Sequence, residues 1–110
     1  MKSQFQIWRF NFGERGEHPC VLISSSELCA RSKYINILYC TSQRQSRPPK
    51  PHEVLLNGAD GLDRETFVDC SALWLVESEK LYGQRGTVTH ARRNAIRDKL
   101  RDIFRLSARD

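Results

Sequence analysis

Residues Tyr34–Gln43 read YINILYCTSQ and predict the central strand of the fold. The segment begins with an apolar run rich in aromatic and β-branched side chains, which favour a strand over a helix. The run stops at Thr41 and Ser42, and Arg44–His52 then brings three prolines and three fixed positive charges. Because proline cannot donate to a β-ladder, that second segment cannot be a central strand. We therefore expect a buried strand that ends in small hydroxyls beside a cationic loop.

The rest of the chain predicts more short strands before one long helix. A short helix is expected within 24–33, and 81–86 is expected to be a glycine-bounded connection before Thr87 and Val88 close the sheet. This order indicates a mainly β fold, a small antiparallel barrel with a C-terminal amphipathic helix. The further strands are expected at 4–12, 20–23, 53–57, 66–70 and 73–76.

The C-terminal helix is amphipathic. Thr89 is a suitable N-cap residue, and apolar side chains after it recur at helical spacing over about 91–106. Arginines recur every four residues on another face, and their charge alone leaves two interpretations open, a solvated surface and a site for nucleic-acid phosphates. The apolar stripe is expected to pack on the sheet. Its members are Ile96, Leu100, Ile103 and Phe104.

Composition indicates one globular domain over residues 1–110. The chain is 39% hydrophobic and 28% charged, which suits a packed core rather than a disordered chain. No apolar run approaches the roughly 18–20 residues of a membrane helix, and the N-terminus has no signal-peptide core. We therefore expect a cytoplasmic protein with no membrane partner. Its net charge of +5 comes from the segment after residue 79, where nine Lys and Arg face three Asp.

The cysteines predict neither a zinc site nor disulfides. None of Cys20, Cys29, Cys40 and Cys70 belongs to a C-x-x-C pair or lies beside a histidine. A reducing compartment disfavours disulfides, and a thiol within an apolar run behaves as a small hydrophobe. We expect no metal and no cofactor.

Several stretches, in this order, resemble the MazF/PemK family of toxin endoribonucleases. IWRFNF is followed by HPCVLIS, which is similar to the family's R-P-A-L-V-I-S. CTSQ resembles the family's C-T-T-Q, and EVLLN with its glycine turn resembles the next strand and turn. TFVDCSALWLV occupies the place of a later strand, and GTVTHARRNAIRDKLRDIF is similar to the last turn and helix. The resemblance covers about residues 5–106 and lies in the order of the stretches.

The resemblance implies a small SH3-like barrel that acts as a homodimer. Family members cut single-stranded RNA without a metal, because the 2′-hydroxyl attacks the neighbouring phosphate to give a 2′,3′-cyclic phosphate and a 5′-hydroxyl. A cognate antitoxin protein holds them inactive. The expected partners are therefore single-stranded RNA, an antitoxin and a second copy of the chain.

The family's catalytic pair is an arginine before the strand-opening proline and a threonine at the end of a later strand. Thr41 matches the threonine, and its hydroxyl is expected to stabilise charge on a phosphate oxygen. His18 occupies the arginine position and departs from the pattern. Histidine transfers protons near neutral pH, so we expect a general acid or base, with Arg15 restoring the positive charge. The alternative is a weakened member of the family.

Other candidate site residues follow from the same alignment. In the Kid branch an arginine and an aspartate of the later strand take part, and this chain has Asp69 and Ser71 there. Asp69 is a candidate acid or base, and a turn-capping role is equally open. Trp8 and Trp74 are assigned to the core or the dimer interface rather than to base stacking.

The cationic loop and the loop beside His18 supply the expected RNA contacts. Arginine and lysine would contact phosphates, Gln43 would contact a base, and the glutamates are also candidates to orient His18. The alternative is a solvated surface loop. The candidate RNA-binding residues are Glu14, Glu17, Ser42, Gln43, Arg44, Arg47 and Lys50.

Two functions of other classes stay open. A catalytically silent RNA- or protein-binding module would keep the fold and lose cleavage. A gyrase poison similar to CcdB depends on a C-terminal Trp-Gly-Ile tail, whereas this chain ends LSARD. The residues therefore favour a metal-independent endoribonuclease.

Overall fold

A computed structural model of the chain describes residues 1–42 and 47–105. The RNA contacts predicted for Gln43 and Arg44 lie outside the described residues. None of the described helices is both long and apolar enough to span a membrane. The described strands and α-helices are β1 Gln6–Asn11, β2 Glu17–Leu22, α1 Ser26–Arg31, β3 Tyr34–Ser42, β4 Glu53–Leu56, β5 Thr66–Asp69, β6 Trp74–Glu77, β7 Tyr82–Thr87 and α2 His90–Phe104.

Strand β3 lies at the centre of the sheet, as its sequence predicts. All strand pairs are antiparallel, in the order β4-β5-β3-β2-β1-β7, and β6 also pairs with β3. Because β3 is nine residues long, it pairs with β6 along 34–37 and with β5 along 40–42. The result is a half-barrel sheet with a C-terminal helix against it, which confirms the predicted mainly β fold.

Both faces of β3 are buried, each in a separate hydrophobic core. Side chains alternate between the faces of a strand, so Leu38 enters the first core and Ile37 enters the second. The first core includes Ile96 of α2, and the second is closed by α1. A continuous apolar run is the expected pattern for a strand buried on both faces.

Helix α2 covers the first core with its first turns only. Ile96 is fully buried, whereas Ile103 and Phe104 keep 36% and 38% of their surface exposed. The predicted packing stripe is therefore wrong in the last turn, because the contact of α2 with the sheet, made at β4, ends before it. The hydroxyl of Thr89 makes no capping bond, and the carboxylate of Asp60 accepts the hydrogen bond of the Thr89 N–H instead, at 2.8 Å.

A turn between β4 and β5 ties the sheet to α2. Asn57 and Asp60 form a capping box, and Asp60, which is 1% exposed, forms an ion pair with Arg92 at 2.7 Å. Gly61 has a φ of +92°, and a Cβ on Gly86 would lie 2.1 Å from the carbonyl oxygen of Asp60. The turn therefore lies directly on β7, in an approach that only glycine permits.

Two segments expected to be loops are strands. Tyr82–Thr87 forms β7, because pairing with β1 extends a segment whose own β-propensity is low. Likewise β2 begins at Glu17, since its pairing with β1 continues to Asn11. His18 therefore lies on a strand and not in the flexible loop that the sequence predicts.

All four cysteines are free and buried. Burial raises the pKa of the Cys20 and Cys70 thiols to about 12, and it raises the pKa of Cys40 well above its ordinary value. These three thiols are therefore uncharged at neutral pH and pack as small hydrophobes.

Candidate functional site

The site expected at the ends of β2 and β3 lies on one face of the sheet. The β2–β3 register pairs Cys20 with Tyr39, and extending it by two residues aligns His18 with Thr41. Paired residues share a face, and so do residues two apart on one strand. The ring centres of His18 and Tyr39 lie 5.0 Å apart, which places His18 on this face. The structure therefore brings His18 and Thr41 to neighbouring strands on one side of the sheet.

The backbone of the preceding turn fixes the imidazole of His18. Its Nε2 lies 2.6 Å from the carbonyl oxygen of Arg15. Because a carbonyl oxygen only accepts, Nε2 carries a proton and donates it. In the neutral ring, Nδ1 then holds the lone pair. An imidazole in this tautomer can accept a proton at Nδ1, as a general base must.

Arg15 lies over an aromatic cluster beside His18. Its guanidinium carbon is 5.0 Å from the centre of the Tyr39 ring and 5.4 Å from that of Trp74. Phe12 meets the same two rings edge-on, at centre distances of 4.8 and 5.1 Å. We call Phe12, Arg15, His18, Tyr39 and Trp74 the aromatic face. Within the described residues Arg15 has no carboxylate partner, so its charge stays available to an anion.

Thr41 and Ser42 end β3 on opposite faces. Thr41 aligns with Phe67 of β5 and shares the side of the aromatic face. Ser42 aligns with Thr66 and points the other way, into a separate cavity. The sequence assigns both hydroxyls to one RNA site, and the alternation of the strand separates them. Thr41 is therefore the hydroxyl on the side of His18.

Asp69 has a local partner. Its carboxylate accepts hydrogen bonds from the N–H of Ser71, at 2.8 Å, and from the hydroxyl of the same residue. This arrangement is an Asx turn at the end of β5. It supports the turn-capping alternative, and a role for Asp69 as acid or base stays a prediction.

The two glutamates near His18 do not orient it through a hydrogen bond. Glu17 accepts a hydrogen bond from the hydroxyl of Tyr82, and this bond raises the pKa of Tyr82. Glu14 is exposed, and among the described hydrogen bonds none joins either glutamate to His18. Their contacts with RNA stay predictions. No three His, Cys, Asp or Glu side chains are grouped as a metal site would need within 1–42 and 47–105.

Arg47 is engaged by the protein itself. Its guanidinium forms a bidentate pair with Glu53, at N–O distances of 2.8 and 3.1 Å, and lies 4.1 Å from the centre of the Phe67 ring. The hydrogen bonds from Arg47 lower the pKa of Glu53. Lys50 is exposed, and its backbone N–H donates to the same carboxylate. These contacts anchor the segment before β4, and the RNA contacts of Arg47 and Lys50 stay predictions.

A second cavity, of about 250 Å³, lies on the other face of the same strand ends. We call it the basic pocket, because three arginines line it. Sequence reasoning assigns only Ser42 of this pocket to a function. One signal was present, since Arg9 follows Phe5 and Ile7 in the inward register of β1. The lining includes Arg9, Ser42, Asp63, Arg64, Thr66 and Arg85.

The sequence matches one protein family along almost its whole length. Over residues 3–104 it fits the PemK-like, MazF-like toxins of type II toxin–antitoxin systems. The chain belongs to this PemK/MazF toxin family. The match runs from before β1 to the end of α2, so both faces of β3 lie within the family's domain. No curated protein sequence matches the chain.

Solved PemK/MazF toxin structures share this fold at low sequence identity. An endoribonuclease in complex with its cognate antitoxin, from mycobacterial species, superposes with a TM-score of 0.82 at 20% identity, covering 97% of this chain and 98% of that one. The Mycobacterium tuberculosis toxin MazF-mt6 gives 0.79 at 15% identity, covering 93% and 98%. A MazE-MazF crystal structure from Deinococcus radiodurans gives 0.73 at 18% identity, covering 96% and 97%. Identities this low establish the fold alone.

Sequence reasoning misses the aromatic members of the site in this PemK/MazF toxin. It counts Tyr39 within a core run, and it assigns Trp74 to the core or the dimer interface. A signal for Tyr39 was present, since it alternates with Leu38 and must leave the first core. Trp74 reaches Tyr39 only because β6 pairs with β3, which places Trp74 opposite Ile37. That convergence is a long-range event that no local pattern predicts.

Proposed function

We propose that this toxin is a metal-independent endoribonuclease that cleaves single-stranded RNA in the cytoplasm. The 2′-hydroxyl attacks the neighbouring phosphate and the 5′-oxygen leaves, so the products carry a 2′,3′-cyclic phosphate and a 5′-hydroxyl. Membership of the family supports the class of reaction. The tautomer of His18 is the observation that carries the assignment to this site.

His18 is the general base of the proposal. Its Nδ1 takes the proton of the 2′-hydroxyl, while Nε2 stays bonded to the carbonyl of Arg15. The ring becomes an imidazolium, and the adjacent Tyr39 ring stabilises that cation. A positioned base of this kind contributes about 10²–10⁴-fold to a rate.

Arg15 and Thr41 stabilise the negative charge that builds on the phosphoryl oxygens. Arginine supplies a permanent charge and a fork of N–H donors, which suits a phosphate. The Thr41 hydroxyl donates to another oxygen of the same group. Arg15 thus replaces the charge of the family's arginine, and it does so from the turn before β2 rather than from the strand. The rings of Tyr39 and Trp74 offer stacking surface to the bases.

The proposal includes two protein partners. Related toxin structures contain an antitoxin, and a segment with acidic and apolar side chains would fit Arg15 and the rings beneath it. A second copy of the chain would cover the apolar surface near β6, where Leu73 and Leu75 are exposed. We therefore propose a homodimer that a cognate antitoxin inhibits.

Cleavage of a long RNA in EDTA tests the proposal. We expect discrete fragments that end in 2′,3′-cyclic phosphate, and we expect His18→Ala and Thr41→Ala each to lower the rate by about 100-fold or more. His90→Ala and Thr87→Ala remove the same side chains from exposed positions and should cleave normally. RNA binding without cleavage by the wild-type protein would identify the silent binding module instead.

His18→Arg separates proton transfer from charge. This change restores the family's residue but removes the group that accepts the proton. We expect the wild-type rate to fall as the pH is lowered, because protonated Nδ1 cannot act as a base. Any activity of His18→Arg should lack that acidic limb in its pH profile. An unchanged limb would show that His18 is not the base.

A further inference from the structure

We propose that the basic pocket holds one phosphate group, and that the group belongs to the bound RNA strand outside the cleavage site. The RNA source rests on the proposed function, whereas the phosphate chemistry rests on the pocket alone. The pocket lies across the sheet from the aromatic face, so its residues do not take part in the cleavage chemistry described above.

The pocket gathers positive charge that the protein leaves unneutralised. Arg64 and Arg85 are exposed, and among the described residues the side chain of neither forms an ion pair or a hydrogen bond. Asp63 is the one carboxylate among the lining residues, against three guanidinium groups. Arginines held together repel one another, and a phosphate relieves that repulsion by accepting N–H donors bidentately.

Arg9 is held in place by its neighbours on β7 and β2. A Cβ on Gly83 would lie 3.7 Å from Arg9 Cδ, so the aliphatic stem packs close to the bare backbone of β7. The Tyr82 hydroxyl donates its proton to Glu17 and accepts a hydrogen bond from Arg9. This chain of contacts orients Arg9 without neutralising it through a direct carboxylate pair.

The wall that carries Arg64 and Arg85 is rigid. The turn before Arg64 rests on the backbone of β7, where Gly61 and Gly86 are in direct contact. Buried Asp60 ties the same turn to α2 through the Thr89 N–H. Rigid walls reduce the entropy lost on binding, so the arginines are presented to a ligand in a fixed arrangement.

The two hydroxyls of the pocket have different roles. Ser42 is exposed and can donate its O–H to a phosphate oxygen. Thr66 is 1% exposed and donates its hydroxyl to the carbonyl oxygen of Arg64, at 3.1 Å, so it fixes the arginine's backbone instead. The donors left for a ligand therefore come from Ser42 and the arginines.

The position of the pocket favours an RNA strand as the source of the phosphate. Thr41 and Ser42 are consecutive on β3 and face opposite sides of the sheet, one toward the aromatic face and one into the pocket. A strand that passes over this end of the sheet therefore meets both surfaces. A phosphate contact there would strengthen binding without reading sequence.

A titration with inorganic phosphate tests the chemistry without any RNA. In wild-type protein at constant ionic strength, we expect phosphate to shift the backbone amide NMR signals of Ser42, Arg64 and Arg85. The Arg64→Gln/Arg85→Gln double variant should lose these shifts, while Arg101→Gln, an exposed arginine of α2, should keep them. The amide spectrum of each variant also shows whether it is folded.

A 2′-O-methyl RNA, which cannot be cut, tests the source of the phosphate. Each lost contact with a single strand lowers the slope of log K against log salt by about 0.7, so we expect about 1.4 for the double variant and no change for Arg101→Gln. Loss of both signals in the double variant supports the proposal. Loss of the inorganic phosphate shifts alone overturns the RNA source and leaves a free phosphate as the ligand. No loss of either signal overturns the pocket as a phosphate site, whether or not the toxin cleaves RNA.

Discussion

The two faces of β3 end in surfaces that are held together in different ways. On the aromatic face the key contact is local, since His18 bonds to the carbonyl of Arg15, three residues earlier. In the basic pocket the key contacts join distant segments, as Asp60 does when it pairs with Arg92 across 32 residues. One face carries a single oriented imidazole, and the other carries a rigid wall of arginines.

The difference follows from what each surface must do. A general base exchanges its proton at one nitrogen, so a single bond at the other nitrogen is enough to orient it. A cluster of like charges has no attraction of its own, so its members must be held by the surrounding fold. Disruption of the long-range contacts should therefore reduce stability, and disruption of the local contacts should change activity with little loss of stability.

The largest loss of stability is expected for Gly86→Ala, which separates the turn from β7. The added Cβ would lie 2.1 Å from the Asp60 carbonyl oxygen, and that oxygen belongs to the backbone and cannot swing away. We expect the free energy of unfolding to fall by more than about 3 kcal/mol, above the common range for overpacking. Urea denaturation measures it. Gly58→Ala is the control, because nothing lies within 4 Å of its Cβ. Equal losses in both variants would refute the role of the close approach.

Arg92→Met should have the next largest effect, since it leaves Asp60 buried without its cation. The Asp60 side chain is fully buried and that of Arg92 is 26% exposed. Removal of one partner of a buried pair costs about 3–5 kcal/mol, and we expect about 2–3 kcal/mol here because Asp60 keeps two backbone N–H donors. Arg101→Met, whose 3.7 Å pair with Asp98 is exposed, should change the urea midpoint little.

Glu53 should make stability depend on pH. Arg47 lowers the pKa of Glu53 in the folded protein, so the unfolded chain binds the proton at higher pH. The contribution is complete above the unfolded carboxyl pKa of about 4.3 and is lost as the pH falls through the lower folded value. We expect about 1 kcal/mol, because the Arg47 side chain is 33% exposed.

Urea midpoints between about pH 7 and about pH 3 check this expectation. Glu53→Gln should show a flatter profile in the acid range than the wild type. Glu27→Gln removes an exposed carboxylate whose pair with Arg31 spans 3.9 Å, and it should keep the wild-type slope. The same slope in both variants would contradict the assignment to Glu53.

The smallest effect is expected on the aromatic face, between Arg15 and Trp74. A double-mutant cycle with Arg15→Met and Trp74→Leu should give a coupling of about 0.5–1 kcal/mol, as expected for an exposed cation–π contact. The matched cycle of Arg15→Met with Trp8→Leu should be additive, because Lys2 and not Arg15 lies over Trp8. Equal coupling in the two cycles would show that the contact itself contributes nothing.

Local pattern was enough to predict most of the fold. The apolar run of β3, the alternation of β1 and the periodicity of α2 each follow from nearest neighbours along the chain. The errors lie where pairing overrides propensity. β7 is a strand because β1 aligns Arg9 with Tyr82, and His18 leaves the predicted loop because β1 aligns Phe10 with it.

The candidate site could be predicted only in part. Thr41 and His18 were found because the order of short motifs marks their positions in the family, and β2–β3 pairing then places them on one face. The bidentate pair of Arg47 with Glu53 was not foreseen, because it depends on how the loop folds back on β4. The basic pocket was missed because its arginines come from β1, a turn and β7.

By itself the sequence determined that β3 is buried, that it ends in two consecutive hydroxyls, and that a helix closes the chain, because periodicity and β-propensity are local properties. Only the tertiary structure decided what each hydroxyl meets. Thr41 shares a face with His18 because β2 and β3 pair in one register. Ser42 shares a cavity with Arg64 and Arg85 because the sheet curves and a glycine contact brings the turn onto β7. Register and curvature depend on pairing between distant segments, which no single stretch of the chain encodes.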